Sequence, residues 1–118
     1  MRSMPPSPNA ELVKALGRRD LAEAETAARD LERVEAEHAL AIVLLMGDED
    51  DARFEPALIR WVGLWLARHP QIGFELAVDL VRALGELKGA SPTVAQSTAS
   101  VVLRSAGDGS SASVLSRW

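Results

Sequence analysis

Apolar residues recur along most of this chain at the spacing of an α-helix, and two prolines mark the clearest of these segments. In the segment 54–69 the apolar residues cover most of the helix circumference. Pro56 fits only the first turn of a helix, and Pro70 disfavours helical geometry at His69 before it. The pattern predicts a buried central helix that begins near Phe54 and ends before Pro70.

Capping residues and helix breakers predict further helices on both sides. Asp20 and Glu23 stand at the positions of a capping box, Gly47 follows an apolar segment, and Ser91 with Pro92 forms a cap and first-turn pair. No glycine or proline lies between the second and third predicted helices, so the sequence does not show whether the two are continuous. We therefore predict an all-α fold, a compact bundle or short solenoid of five to six helices. One further segment carries charged residues at helical intervals, which predicts a solvent-facing stripe: Glu75, Asp79, Arg82 and Glu86.

The two ends of the chain differ from this helical region, which spans residues 9–106. Residues 1–8 contain three prolines and no apolar run, and we expect a flexible N-terminal arm. Residues 107–118 are rich in glycine and serine, which predicts a flexible tail with an apolar C-terminal end at Leu115 and Trp118. No apolar run resembles a secretory signal or reaches the roughly 20 residues of a membrane span, so we expect a cytoplasmic location and no membrane partner.

The composition excludes several kinds of chemistry. The 118 residues include no cysteine, which excludes disulfides, thiolate metal sites and cysteine nucleophiles. His38 and His69 are too far apart in sequence to form a two-histidine motif on one helix. The acidic run 48–51 lacks the glycine and glutamate of a calcium loop. Phosphate-binding and nucleophile motifs are also absent, so we predict no catalytic residues, no cofactor and no metal.

One stretch near the N-terminus resembles a known family. Leu16 and Gly17 lead into the sequence Asp-Leu-Ala-Glu-Ala at residues 20–24, which resembles the helix pairs of tetratricopeptide and HEAT repeats. The aromatic residue and the closing proline of a tetratricopeptide unit are missing, and no second copy occurs at a fixed period. The resemblance covers residues 9–88 at most. It implies an α-solenoid scaffold with a groove for protein partners, and it assigns no functional residues.

The distribution of large apolar residues favours a protein-interaction module, such as an adaptor, a regulator or an assembly subunit. Trp61 and Trp65 lie one helical turn apart, and tryptophan is common both in small helical cores and at interface hot spots. The tail adds Leu115 and Trp118. We take these four residues as candidates for binding a protein partner or a second copy of the chain.

Two other functions remain as alternatives. The segment 76–105 resembles a helix-turn-helix, which implies a DNA-associated regulator, but its second helix offers only Gln96 and Arg104 as contacts to nucleic acid. The net charge of −4 also disfavours nucleic acid as a partner. A bundle that binds a small ligand or acts as an enzyme is the further alternative, and it requires a pocket where polar side chains converge.

Overall fold

The computed structural model describes residues 8–88 and 92–117, and these two ranges are all-helical. They contain seven α-helices, one 3-10 turn and no strand. The helices are α1 (Pro8–Gly17), α2 (Leu21–Arg29), α3 (Ala36–Asp48), α4 (Phe54–Arg68), α5 (Phe74–Gly85), α6 (Pro92–Ser105) and α7 (Gly109–Ser116), with the 3-10 turn at Glu86–Lys88 between α5 and α6. The all-α fold is confirmed, whereas the predicted number of five to six helices is too low. The predicted N-terminal arm lies outside the described residues, except for Pro8.

The additional helix is α7, which lies in the segment 107–118 that the sequence predicts to be a flexible tail. Gly107 follows α6 with a φ of 86°, a conformation that suits glycine at the end of a helix. Asp108 then caps α7, because its Oδ1 accepts a hydrogen bond from the backbone N–H of Ser111 at 3.0 Å. Leu115 is fully buried. The tail prediction is therefore corrected: burial of one face outweighs the weak helix propensity of the serines.

Helices α2 and α3 are separate, although neither glycine nor proline divides them. The six residues between them are charged except for Leu31 and Val34, and these two are partly buried against side chains of α1 and α2. The start of α2 agrees with its predicted cap, since Asp20 Oδ1 accepts from the N–H of Glu23 at 3.1 Å. The predicted charged stripe is exposed: Glu75, Asp79 and Arg82 lie on α5, and Glu86 lies in the 3-10 turn that follows it.

The buried side chains form three clusters. The main cluster comes from α3, α4, α5, α6 and α7. A smaller cluster joins α1 to α2 through Leu12, Ala15, Ala24 and Ala27. The third joins α2 to α3 through Leu21, Leu45 and Met46. Leu16 packs against all three clusters and so attaches the α1–α2 hairpin to the rest of the protein.

The helices pack in adjacent pairs, an arrangement compatible with helical repeats. However, α7 packs against α3 as well as against its neighbour α6. In an open solenoid each repeat contacts only the next one. The return of α7 to α3 therefore closes α3 to α7 into a bundle.

An ion-pair network connects α2 to the turn before α4. Arg53 Nη2 lies 2.6 Å from Glu25 Oε1 and 2.7 Å from Asp51 Oδ2. Hydrogen bonds from the side chain and backbone of Arg53 lower the pKa of Asp51 to about 2. The same side-chain contacts raise the pKa of Arg53. The last residue of the acidic run 48–51 therefore has a structural role at this turn.

Candidate interaction surface

The two tryptophans of α4 lie in the core. The exposed fraction is 5% for Trp61 and 1% for Trp65, and their rings stack with centroids 6.3 Å apart. Trp61 Nε1 donates to the carbonyl oxygen of Ala36 at 2.9 Å, and Trp65 Nε1 donates to Asp108 Oδ2 at 2.8 Å. Both indole N–H groups are thus satisfied inside the protein. The tryptophans connect α4 to the start of α3 and to the cap of α7.

Asp108 is the polar link between α4 and α7. One of its carboxylate oxygens accepts from Trp65, and the other caps α7 through Ser111. Burial is the largest single influence and acts to raise the pKa of Asp108, but hydrogen bonds from Ser111 and Trp65, together with attraction to His69, lower it below its ordinary value. His69 stacks on Trp65 with ring centroids 4.3 Å apart, and its Nδ1 lies 2.8 Å from the carbonyl oxygen of Trp65. This polar cluster connects α4 to α7.

The residues that the sequence suggests for partner binding do not form one surface. Trp61, Trp65 and Leu115 are buried in the main cluster, and each exposes at most 5% of its surface to a partner. Trp118 lies outside the described residues.

The apolar side chains that stay exposed are concentrated on three helices. Of the eight large exposed apolar residues among those described, seven lie on α4, α5 and α6, and Val13 on α1 is the exception. The seven are Ile59, Leu64, Phe74, Leu76, Val81, Val94 and Val101. Sequence periodicity alone does not separate these residues from the core, because each lies near a buried apolar neighbour on its own helix.

The outward face of α6 has almost no charge, in contrast to the charged stripe of α5. Val94 and Val101 are 66% and 67% exposed, and they are seven residues apart, which places them on the same face two turns from each other. Ser97 and Thr98 lie between them and are exposed too. Arg104, near the C-terminal end, is the only charged residue among the 14 of α6. We call Val94, Ser97, Thr98 and Val101 the α6 face.

The helix-turn-helix-like segment 76–105 corresponds to most of α5, the 3-10 turn and α6, with residues 89–91 outside the described ranges. Gln96, one of the two residues suggested for DNA contact, is half-buried and donates a hydrogen bond to the carbonyl oxygen of Leu115 in α7. Its amide thus stabilises the packing of α6 on α7. Arg104 remains exposed.

Two grooves of the described structure differ in the groups that line them. A groove of about 370 Å³ between α1, α3 and α7 is lined by apolar side chains with His38, Arg19 and Arg117, and no carboxylate or hydroxyl group lines it. A groove of about 440 Å³ between α1 and α2 has these polar side chains, all of them exposed: Glu11, Lys14, Arg18, Glu23 and Thr26. In the described ranges, no three histidine, aspartate or glutamate side chains come close enough together to hold a metal ion. None of the helices in those ranges has the length and apolar character needed to cross a membrane.

Comparison with known proteins gives no relative: no family model, no curated protein and no solved structure matches this chain.

Proposed function

We propose that the protein is an interaction module that binds a protein partner through the α6 face. The observation that carries this proposal is the pair of valines, each about two-thirds exposed, on a helix whose only charged residue is Arg104 near its C-terminal end. Protein interfaces differ from other surfaces chiefly in the depletion of charged residues at their centre. The α6 face has this composition in a chain of which 25% is charged.

The residues of the α6 face are poor choices for a helix that serves only the fold. Valine, serine and threonine have mediocre helix propensity, and nothing about the core requires them at exposed positions. The exposed stripe of α5 uses glutamate and arginine instead, which favour helix and solubility. A docking role explains the difference, since short uncharged side chains let another helix approach closely.

The other candidate functions have weaker support. A DNA-binding α6 needs basic and amide side chains on its outward face, whereas Gln96 is bonded to α7 and Arg104 is the only basic residue of that helix. A catalytic role needs polar groups that converge in a sheltered pocket, whereas the α1–α3–α7 groove has only His38 and two arginines, and the polar side chains of the α1–α2 groove are exposed to solvent.

A photo-crosslinking amino acid at Val101 tests the proposal in cells that express the full chain. We expect discrete adducts of defined mass from this position, and loss of these adducts when Val94→Lys is added. The matched control carries the same amino acid at Glu75, which is exposed on the charged stripe of α5. Equal, diffuse labelling from both positions would show that the α6 face is ordinary surface.

A further inference from the structure

The α1–α3–α7 groove has an apolar lining that the fold itself leaves partly uncovered. Its volume of about 370 Å³ lies in the range of small-ligand pockets. Val13 lines it with 48% of its surface exposed, and it is the one large exposed apolar residue of the described chain outside α4, α5 and α6. The lining also includes Leu16, Ala41 and Val114. An apolar group in this groove therefore buries surface, chiefly at Val13, that otherwise contacts water.

The charge of the groove is opposite to the net charge of the chain. The chain has a net charge of −4, whereas the groove is lined by Arg19 and Arg117 and by no carboxylate. Arg19 Nη2 donates to the carbonyl oxygen of Arg117 at 3.4 Å, so the two arginines lie at one place in the groove. Guanidinium groups bind carboxylates through charge-assisted hydrogen bonds in a planar fork. The groove is thus complementary to an anion.

The two arginines differ in how far the fold already uses them. Arg117 Nε donates to the carbonyl oxygen of Ser113 at 3.3 Å, and no carboxylate of residues 8–88 or 92–117 forms a salt bridge with Arg117. Arg19 Nη1 lies 3.9 Å from Asp48 Oδ2, and both of these side chains are about half exposed. Such a pair contributes little in solvent, so a ligand competes with it readily. Arg117 is therefore the main contact for an anion, and Arg19 is the second.

His38 adds a hydrogen-bond donor to the same groove. The residue is half-buried, and its Nδ1 is buried with no hydrogen-bond partner among the described residues. Buried N–H groups without an acceptor are rare, so the neutral ring carries its proton on Nε2. Since Nδ1 is inaccessible, Nε2–H is the polar group that the ring offers to a ligand. This donor suits an anion as well.

From this combination we propose that the groove binds a small organic carboxylate with an apolar body. Its carboxylate accepts hydrogen bonds from Arg117, Arg19 and His38, and its apolar body packs against Val13 and Val114. A groove of about 370 Å³ has the volume of roughly a dozen water molecules, which suits a ligand of about ten non-hydrogen atoms. The site lies on other helices than the α6 face, so it is independent of the proposed function.

Octanoate is the probe, because it joins a carboxylate to an apolar chain of fitting size. Titration of the isotope-labelled full chain at constant ionic strength, followed by NMR, shows which residues respond. We expect shift changes centred on Val13, Ala41 and Val114, with a Kd of about 0.1–1 mM for a ligand of this size. Octan-1-ol has the same apolar chain without the charge, and we expect it to bind about tenfold more weakly.

Two variants test the two halves of the site. Arg117→Gln removes an exposed guanidinium and should weaken octanoate binding about tenfold. Its matched control is Arg82→Gln on the charged stripe of α5, which changes the net charge equally and should leave the Kd unchanged. Val13→Glu places a carboxylate in the groove at a half-exposed position and should abolish the shift changes by repelling the ligand.

Three results would overturn the proposal. The first is equal affinity for octanoate and octan-1-ol, or an unchanged Kd in Arg117→Gln, since either shows that the carboxylate is not recognised. The second is that acetate or inorganic phosphate gives the same shift changes with the same Kd, because the apolar body then contributes nothing. The third is the absence of shift changes in the groove at about 10 mM octanoate, roughly ten times the weakest expected Kd.

Discussion

Replacing Asp108 by alanine perturbs the contact that holds α7 to α4. The substitution removes two interactions at once: the cap at Ser111 and the acceptor of the Trp65 indole N–H. No water replaces the lost acceptor easily, because Trp65 is only 1% exposed. We therefore expect Asp108→Ala to cause a large loss of stability, although Asp108 itself is only partly buried.

The magnitude follows from the two contacts. Loss of an N-terminal cap costs about 1 kcal/mol. A buried donor left without a partner costs about 1–3 kcal/mol more. Asp108→Ala should thus lower the free energy of unfolding by about 2–4 kcal/mol, with a drop in Tm of about 8–15 °C for a domain of this size.

Asp20→Ala is the matched control, because Asp20 caps α2 through the backbone N–H of Glu23 as Asp108 caps α7 through that of Ser111. Urea and thermal unfolding, followed by circular dichroism, give both free energies. We expect Asp20→Ala to cost about 1 kcal/mol, so the difference between the two variants measures the Trp65 contact. If Asp108→Ala costs no more than Asp20→Ala, the contact between Asp108 and Trp65 contributes nothing and the reasoning is wrong.

Two other perturbations test parts of the fold by equilibrium unfolding. Leu115→Ala should cost about 2–5 kcal/mol, because the side chain is fully buried; a cost below about 1 kcal/mol contradicts a packed α7. Asp51 has a lowered pKa in the folded state, so its stabilising effect is present above about pH 4 and is lost toward pH 2; Asp51→Asn should flatten this acid dependence, and an unchanged profile contradicts the assignment.

The sequence predicts the ends of helices best where a residue type is compatible with only one position in a helix. Pro56 and Pro70 bound α4 correctly, because proline is incompatible with the interior of a helix. Asp20 marks the start of α2 for a similar reason, since its side chain satisfies a specific backbone donor.

Helix α7 is missed because its local signals resemble those of a linker. Gly107, Gly109 and four serines favour a flexible chain on propensity alone. The cap at Asp108 is a local signal that sequence analysis can find, but it is short and common. What decides the helix is burial of Leu115 against α3 and α6, and this depends on tertiary packing.

The candidate surface shows a comparable limit. Large size suggests Trp61 and Trp65 as binding residues, but their N–H groups find acceptors inside the bundle and their rings fill the core. Val94 and Val101 are inconspicuous in the sequence, since α6 has buried apolar residues as well. Only the orientation of α6 in the bundle shows which of its apolar residues face outward.

The most direct test of the central claim, that the α6 face is an interface, combines the photo-adducts formed from Val101 with the free energy of unfolding of Val94→Lys. We predict that Val94→Lys keeps its free energy of unfolding within about 0.5 kcal/mol of the natural value, because Val94 is 66% exposed, and that it removes the discrete adducts. A variant that keeps the adducts and has a lower stability would contradict the claim and place Val94 among the residues that serve the fold alone.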